Sequence, residues 1–145
     1  MKKRVLFLCT SNSARSQMAE ALVNHDLGDH FEAYSAGTAP KTPHPAALKV
    51  LAEIGIDHSR ARSKSLEEYE GQPFDYVITL CDGANETCPL FFGGVERVHL
   101  GFEDPIRVIG TEDEILTAFR RVRDQIRETV ENYLQSRTPA SLTDN

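Results

Sequence analysis

Arg4-Val5-Leu6-Phe7-Leu8-Cys9-Thr10-Ser11-Asn12-Ser13-Ala14-Arg15-Ser16 is the stretch that decides the fold. Its first half is a short apolar run, which predicts a buried central strand over Arg4–Leu8. The residues that follow, Gln17-Met18-Ala19-Glu20-Ala21-Leu22-Val23, are good helix formers apart from the valine, so a helix is predicted over Ser16–His25. The Cys9-to-Arg15 loop, a C-x5-R pattern, therefore lies at the carboxyl end of a strand and the amino end of a helix. Open α/β sheets bind their ligands at that edge.

Backbone N–H groups at a helix start point into such a loop, and the helix dipole adds positive potential. A tetrahedral oxyanion (phosphate, arsenate or sulfate) fits this field. The residues expected to hold it are Thr10, Ser11, Asn12, Ser13, Ala14 and Arg15, with the Arg15 guanidinium gripping two oxygens at once. The same field favours the thiolate of Cys9, the expected nucleophile. Ser16 is placed to donate a hydrogen bond to that sulfur, and the Asn12 amide to brace the loop. A lone cysteine at a strand end is ordinarily just a small buried hydrophobe. The strand-loop-helix setting and the small polar residues around Cys9 favour the chemical reading here.

Outward from this unit the chain alternates. Strands are predicted at Phe31–Ala36, Phe74–Leu80 and Val95–Leu100. Helices are predicted at Pro45–Ile54, at Leu66–Glu70 behind a Ser65 cap, and from Thr111 onward, where Glu114 completes a capping box. The last helix carries Ile115, Phe119, Val122, Ile126 and Val130 at helical spacing, a core stripe. Arg120, Arg121, Arg123 and Arg127 interleave with acidic residues and read as a solvated face. The expected architecture is α/β, a single domain over residues 1–137 with a four-stranded parallel sheet and helices on both faces. Residues 138–145 are expected to form a disordered tail.

Two more strand ends carry chemistry. Cys81 closes Val77-Ile78-Thr79-Leu80, and if that strand neighbours the first, Cys81 can approach Cys9. Cys88 follows within a long segment rich in turn formers, the kind of connection that is functional or mobile. Asp104 follows the fourth strand in Glu103-Asp104-Pro105. An acid there can protonate an oxygen leaving a bound oxyanion, and Pro105 keeps it out of a helix. Glu103 ranks second for that role. C-x6-C is not zinc-ligand spacing, and His25, His30, His44, His58 and His99 form no ligand pattern. Tyr34 and Phe102 read as packing residues.

The chain has 145 residues, three cysteines and a net charge of −6. The negative charge argues against nucleic acid. The basic start Met1-Lys2-Lys3-Arg4 is followed by too short an apolar run for a signal peptide. No apolar run has the length of a membrane span. A cytoplasmic monomer with reduced thiols is expected.

Together, Cys9–Glu20 (CTSNSARSQMAE), Tyr34–Thr38 (YSAGT), Val77–Cys81 (VITLC) with Cys88, and His99–Pro105 (HLGFEDP) resemble the thioredoxin-coupled arsenate reductases built on the low-molecular-weight tyrosine phosphatase fold. The resemblance runs from Val5 to about Tyr133. It implies a sulfur relay. Cys9 attacks arsenate held by Arg15 and the loop, and Asp104 protonates the departing oxygen. Cys81 and then Cys88 move the resulting disulfide outward, and thioredoxin reduces it. No tightly bound cofactor is implied. Many relatives have a cysteine where Ala14 stands, a position outside the relay. Some bind potassium behind the loop; Asn12, Glu20 and Ser35 match that site, but Lys64 replaces a carboxylate ligand, so its ammonium is expected to stand in for the ion.

A tyrosine phosphatase using Cys9, Arg15 and Asp104 is the nearest rival. Such phosphatases have a proline where Gln17 stands and aromatic residues where Ile106-Arg107-Val108 stand, and they give Cys81 and Cys88 no task. A non-enzymatic redox or oxyanion sensor would not need Asp104. A glutaredoxin or mycothiol donor is the third alternative to thioredoxin.

Overall fold

A computed structural model describes residues 2–82 and 94–137. Strand β1 (Lys3–Cys9) leads into helix α1 (Arg15–Asp26), then β2 (Phe31–Gly37), α2 (Pro45–Ala52), a 3₁₀ turn (Leu66–Tyr69), β3 (Phe74–Thr79), β4 (Gly94–His99), a second 3₁₀ turn (Pro105–Arg107) and α3 (Glu112–Arg137). The sheet is parallel throughout, with strand order β2-β1-β3-β4. The expected α/β class and four-stranded sheet are what the chain adopts. Cys88 lies outside the described residues, as does the 138–145 tail.

β1 is buried on both faces because it is central, and its alternation divides the core in two. Val5 and Phe7 meet all three α-helices through Met18, Leu22, Val50, Leu51, Phe119, Val122 and Ile126. Leu6 and Leu8 meet the opposite layer of Ala36, Phe74 and Val77, with Tyr34, Leu66 and Tyr69 packed against it. The two faces are thus unequally covered. The α-helices share one, and the Leu66–Tyr69 turn with an edge-to-face trio of Tyr34, Tyr69 and Phe74 closes the other. The Arg4 guanidinium lies over Tyr34 and Phe74, 4.8 and 4.5 Å from the ring centroids, adding a cation–π contact.

Local rules explain most boundaries. His44 caps α2, its Nδ1 accepting from the Ala46 N–H at 3.1 Å, and Pro45 takes the first turn where no N–H is needed. α2 stops two residues before the predicted Ile54. Its last bonds tighten to 3₁₀ type, Ile54 to Leu51 and Gly55 to Ala52, and Gly55 leaves the helix at φ +86°. The Thr111 capping box forms in both directions, at 3.1 and 3.2 Å.

The arginine row on α3 corrects the expectation of a solvated face. Arg123 is 8% exposed and donates to Val50 O at 2.8 Å and to Glu53 at 3.3 Å. Arg120 binds Glu53, and Arg127 forks onto Asp26 of α1 at 2.7 and 2.9 Å. Three of these four arginines therefore strap α3 to its neighbouring helices. Ile115 is only half-buried; the core stripe shifts to Leu116 and extends to Leu134.

Candidate active site

The loop after β1 is built on close backbone contact. Thr10, Ser11 and Ser13 carbonyls accept from Ala39, Lys41 and His44 N–H groups at 2.9–3.0 Å, so the segment after β2 runs alongside the loop and fixes it. That approach requires Gly37: a Cβ there would lie 2.4 Å from Thr10 O and 2.9 Å from both Cys9 O and Asn12 N. Asn12 sits in the left-handed region at φ +50°, which asparagine tolerates better than most residues. α1 begins at Arg15 with no side-chain cap and no acidic residue in its first turn. No acidic side chain of its own first turn thus competes at its dipole end.

The side chains of the loop form a directed hydrogen-bond chain. The Lys64 N–H donates to Asn12 Oδ1 at 2.8 Å, which fixes that atom as the carbonyl oxygen. Asn12 Nδ2 then donates to Ser16 Oγ at 2.7 Å. Ser16 Oγ, having accepted from Asn12, lies 2.8 Å from Cys9 Sγ, where either atom can donate to the other. When the sulfur is ionised for attack it has no proton to give, and the Ser16 hydroxyl is then the donor. Cys9 is 1% exposed.

Arg15 is buried beneath the loop. Its Nη1 donates to Phe102 O at 3.2 Å and to Leu80 O at 3.4 Å, and its Nη2 lies 3.5 Å from Asp104 Oδ2. One guanidinium thus joins the ends of β1, β3 and β4. Asp104 is held by its own turn, with Oδ1 accepting from Ile106 N at 3.1 Å. Its charge also bears on His44. Burial lowers the His44 pKa, partly offset by the Asp104 carboxylate. Glu103, the second-ranked acid, instead pairs with Arg121.

β1 and β3 are neighbours, and Leu80 N donates to Leu8 O at 2.9 Å. Cys9 and Cys81 therefore stand at the ends of adjacent hydrogen-bonded strands. Both are reduced and buried, Cys81 completely. The structure brings Cys9, Thr10, Ser11, Asn12, Ser13, Ala14, Arg15, Ser16, Cys81 and Asp104 to one sheet edge.

Behind the loop, Glu20 Oε1 accepts from Ser35 Oγ at 2.8 Å and from Lys64 Nζ at 3.1 Å. An ammonium already lies on the carboxylate oxygen that a potassium ion would need, so these residues do not fit the ion. Among the described residues no group of three or more His, Cys, Asp or Glu is arranged to hold a metal.

Two residues escaped the sequence reading. Gln17 is fully buried, and its Nε2 donates to Asn12 O and Oδ1 at 3.1 Å and to Arg62 O at 3.0 Å. His58 Nε2 bonds Gln17 Oε1 at 2.8 Å. Gln17 follows Arg15 and Ser16 in a polar first helical turn, so nothing in the sequence marked it or His58 as a buried bracing residue.

A C-x5-R loop between a central parallel strand and a helix, facing an Asp-Pro acid, defines a thiol enzyme acting on oxyanions. The chain belongs to the low molecular weight phosphotyrosine protein phosphatase family, which residues 4–143 match. It is similar to an arsenate reductase of Halalkalibacterium halodurans, 43% identical over 135 residues, spanning 93% of this chain and 97% of that one. It is also similar to the solved structure of an arsenate reductase in its phosphate-binding state (TM-score 0.77, 32% identity, 92% and 98% of the two chains). A thioredoxin-dependent arsenate reductase of Corynebacterium glutamicum aligns with TM-score 0.64 and 34% identity, over 93% of this chain and 63% of that one. No described helix is long and apolar enough to cross a membrane.

Proposed function

We propose that this chain reduces arsenate to arsenite by a three-cysteine relay and is regenerated by thioredoxin. The observation that carries the reading is the pair of reduced thiols, Cys9 and Cys81, on adjacent strand ends beside Arg15 and Asp104. A phosphatase needs only the first thiol.

Loop N–H groups and Arg15 hold the arsenate oxygens, and Cys9 thiolate attacks arsenic. Asp104 protonates the displaced oxygen, which leaves as water. Cys81 thiolate then attacks Cys9 Sγ. The S–As bond breaks with its electron pair on arsenic, arsenite departs, and a Cys9–Cys81 disulfide remains. Cys88 attacks Cys81, Cys9 returns as a thiolate, and thioredoxin's dithiol reduces Cys81–Cys88. The protein works as a monomer in the cytoplasm, where thiols stay reduced, and needs no tightly bound cofactor. Because phosphate fits the same loop, weak phosphatase activity accompanies the main reaction.

Arsenate-dependent NADPH consumption with thioredoxin and thioredoxin reductase tests the scheme. Cys9→Ser, Cys81→Ser and Cys88→Ser each stop cycling, while Cys88→Ser still releases arsenite once and traps Cys9–Cys81. Sustained turnover by Cys88→Ser would refute the relay. Equal rates with glutaredoxin or mycothiol as reductant would reassign the donor.

A further inference from the structure

We propose that His58 is a positioning residue for the Cys9 sulfur, acting through Gln17, Asn12 and Ser16. The inference rests on Cys9 being the reacting atom. His58 reaches the loop through Gln17, to which its Nε2 is hydrogen-bonded at 2.8 Å.

From His58 to Ser16 the acceptors present fix the direction of each bond, and an ionised Cys9 makes Ser16 the last donor. Gln17 faces three carbonyl oxygens, Asn12 O, Asn12 Oδ1 and Arg62 O, so its NH₂ must point there. Its Oε1 therefore points at His58, and His58 Nε2 must carry a proton to satisfy it. Fully buried, Gln17 Oε1 has no water to turn to if that donor is lost. The amide would then be left with an orphaned oxygen, or would flip and set that oxygen against the three carbonyls. Either outcome loosens Asn12, whose Nδ2 holds the Ser16 hydroxyl that lies 2.8 Å from Cys9 Sγ.

The surroundings keep His58 in the donor state suited to this task. Burial depresses its pKa, with the Glu20 and Asp57 carboxylates opposing and the Lys64 ammonium reinforcing the shift. It is therefore a neutral imidazole at neutral pH, with its proton on Nε2. On its outer side His58 lines a cavity of about 260 Å³ with Leu48, Ala52, Ile56 and Ser59. The imidazole thus stands between a surface opening and the loop, and it lies 2.8 Å from Gln17 Oε1.

The test is run in the full chain with Cys81→Ser and Cys88→Ser, where Cys9 is the sole remaining thiol. The ultraviolet absorbance of the thiolate is followed against pH, without arsenate or thioredoxin, so the result is independent of whether arsenate is the substrate. His58→Leu moves the absorbance rise to higher pH by about half a unit or more, a roughly threefold fall in the thiolate-to-thiol ratio. His58→Gln, whose side-chain amide can donate to Gln17 Oε1, restores the parent curve. His58→Asn, too short to reach, behaves like His58→Leu and serves if the leucine variant fails to fold. Thermal unfolding of each variant is recorded alongside. A lowered Tm with an unmoved thiolate curve would make His58 merely structural and overturn the proposal. So would equal displacement in His58→Gln and His58→Asn.

Discussion

Replacing Lys64 with methionine tests the electrostatics behind the loop. Lys64 is 8% exposed, and its Nζ lies 3.1 Å from Glu20 Oε1. At an effective dielectric constant of about 20, that attraction is about 5 kcal/mol, largely offset by the cost of taking both charges out of water. Removing the ammonium alone leaves the carboxylate buried, an outcome that typically costs about 3–5 kcal/mol. Ser35 at 2.8 Å remains as a hydrogen-bond partner, which places Lys64→Met near the lower end. For a chain of this length, about 3 kcal/mol lowers Tm by roughly 10 °C. The assay is thermal unfolding at neutral pH in sodium and in potassium chloride at equal ionic strength. The parent chain unfolds at the same temperature in both salts, Lys64→Met unfolds early in sodium, and Lys64→Asp is stabilised by potassium over sodium. Clear stabilisation of the parent by potassium, or a loss below about 1 kcal/mol in Lys64→Met, would refute the view that the ammonium does the work of an ion.

Asp104→Asn keeps the turn cap to Ile106 but removes the transferable proton, so single-turnover arsenite release slows by about 10²–10⁴-fold; an unchanged rate would pass the role to another group. Gly37→Ala places a methyl 2.4 Å from Thr10 O, costs about 1–3 kcal/mol by overpacking, and suppresses alkylation of Cys9; an active variant of parental stability would show that the loop can yield. Glu131 offers a pH test. Burial and the adjacent Asp26 carboxylate raise it from 4.5 to about 8. Asp26 is itself brought to about 2, burial notwithstanding, by hydrogen bonds from Glu131, Arg127 and His25. Between about pH 4.5 and 8 the folded chain keeps a proton that the unfolded chain has released, so stability falls as pH rises through that window. The shift alone bounds the loss at roughly 5 kcal/mol; partial exposure of the pair reduces it to about 1–2 kcal/mol. Glu131→Gln flattens Tm across that range, and an unchanged slope would contradict the assignment.

The sequence disclosed what local chemistry dictates. C-x5-R after an apolar run located the loop, and Asp-Pro after another located the acid. Turn and cap residues marked Ser65, Thr111 and the start of α2. What stayed hidden depends on contacts between distant segments. Arg123 looked like its solvated neighbours because only the packing of α3 on α2 brings Val50 O within reach. His58 and Gln17 are 41 positions apart, and no periodicity records their meeting. Gly37 gave no sign of its role because the approach of the loop to β2 is tertiary. The expected helical cover on both sheet faces did not reveal that one face would rest on three aromatic rings and a short turn.

Cys81 has no accessible surface. Dissolved peroxide therefore reaches its sulfur only as often as the surrounding segment opens, and oxidative damage to thiols follows thiolate character and exposure. In the proposed relay, the resting molecule thus keeps its second reducing equivalent sealed away until events at the neighbouring strand call on it. A cell under oxidative stress can thus hold this protein ready without steadily losing it to futile oxidation.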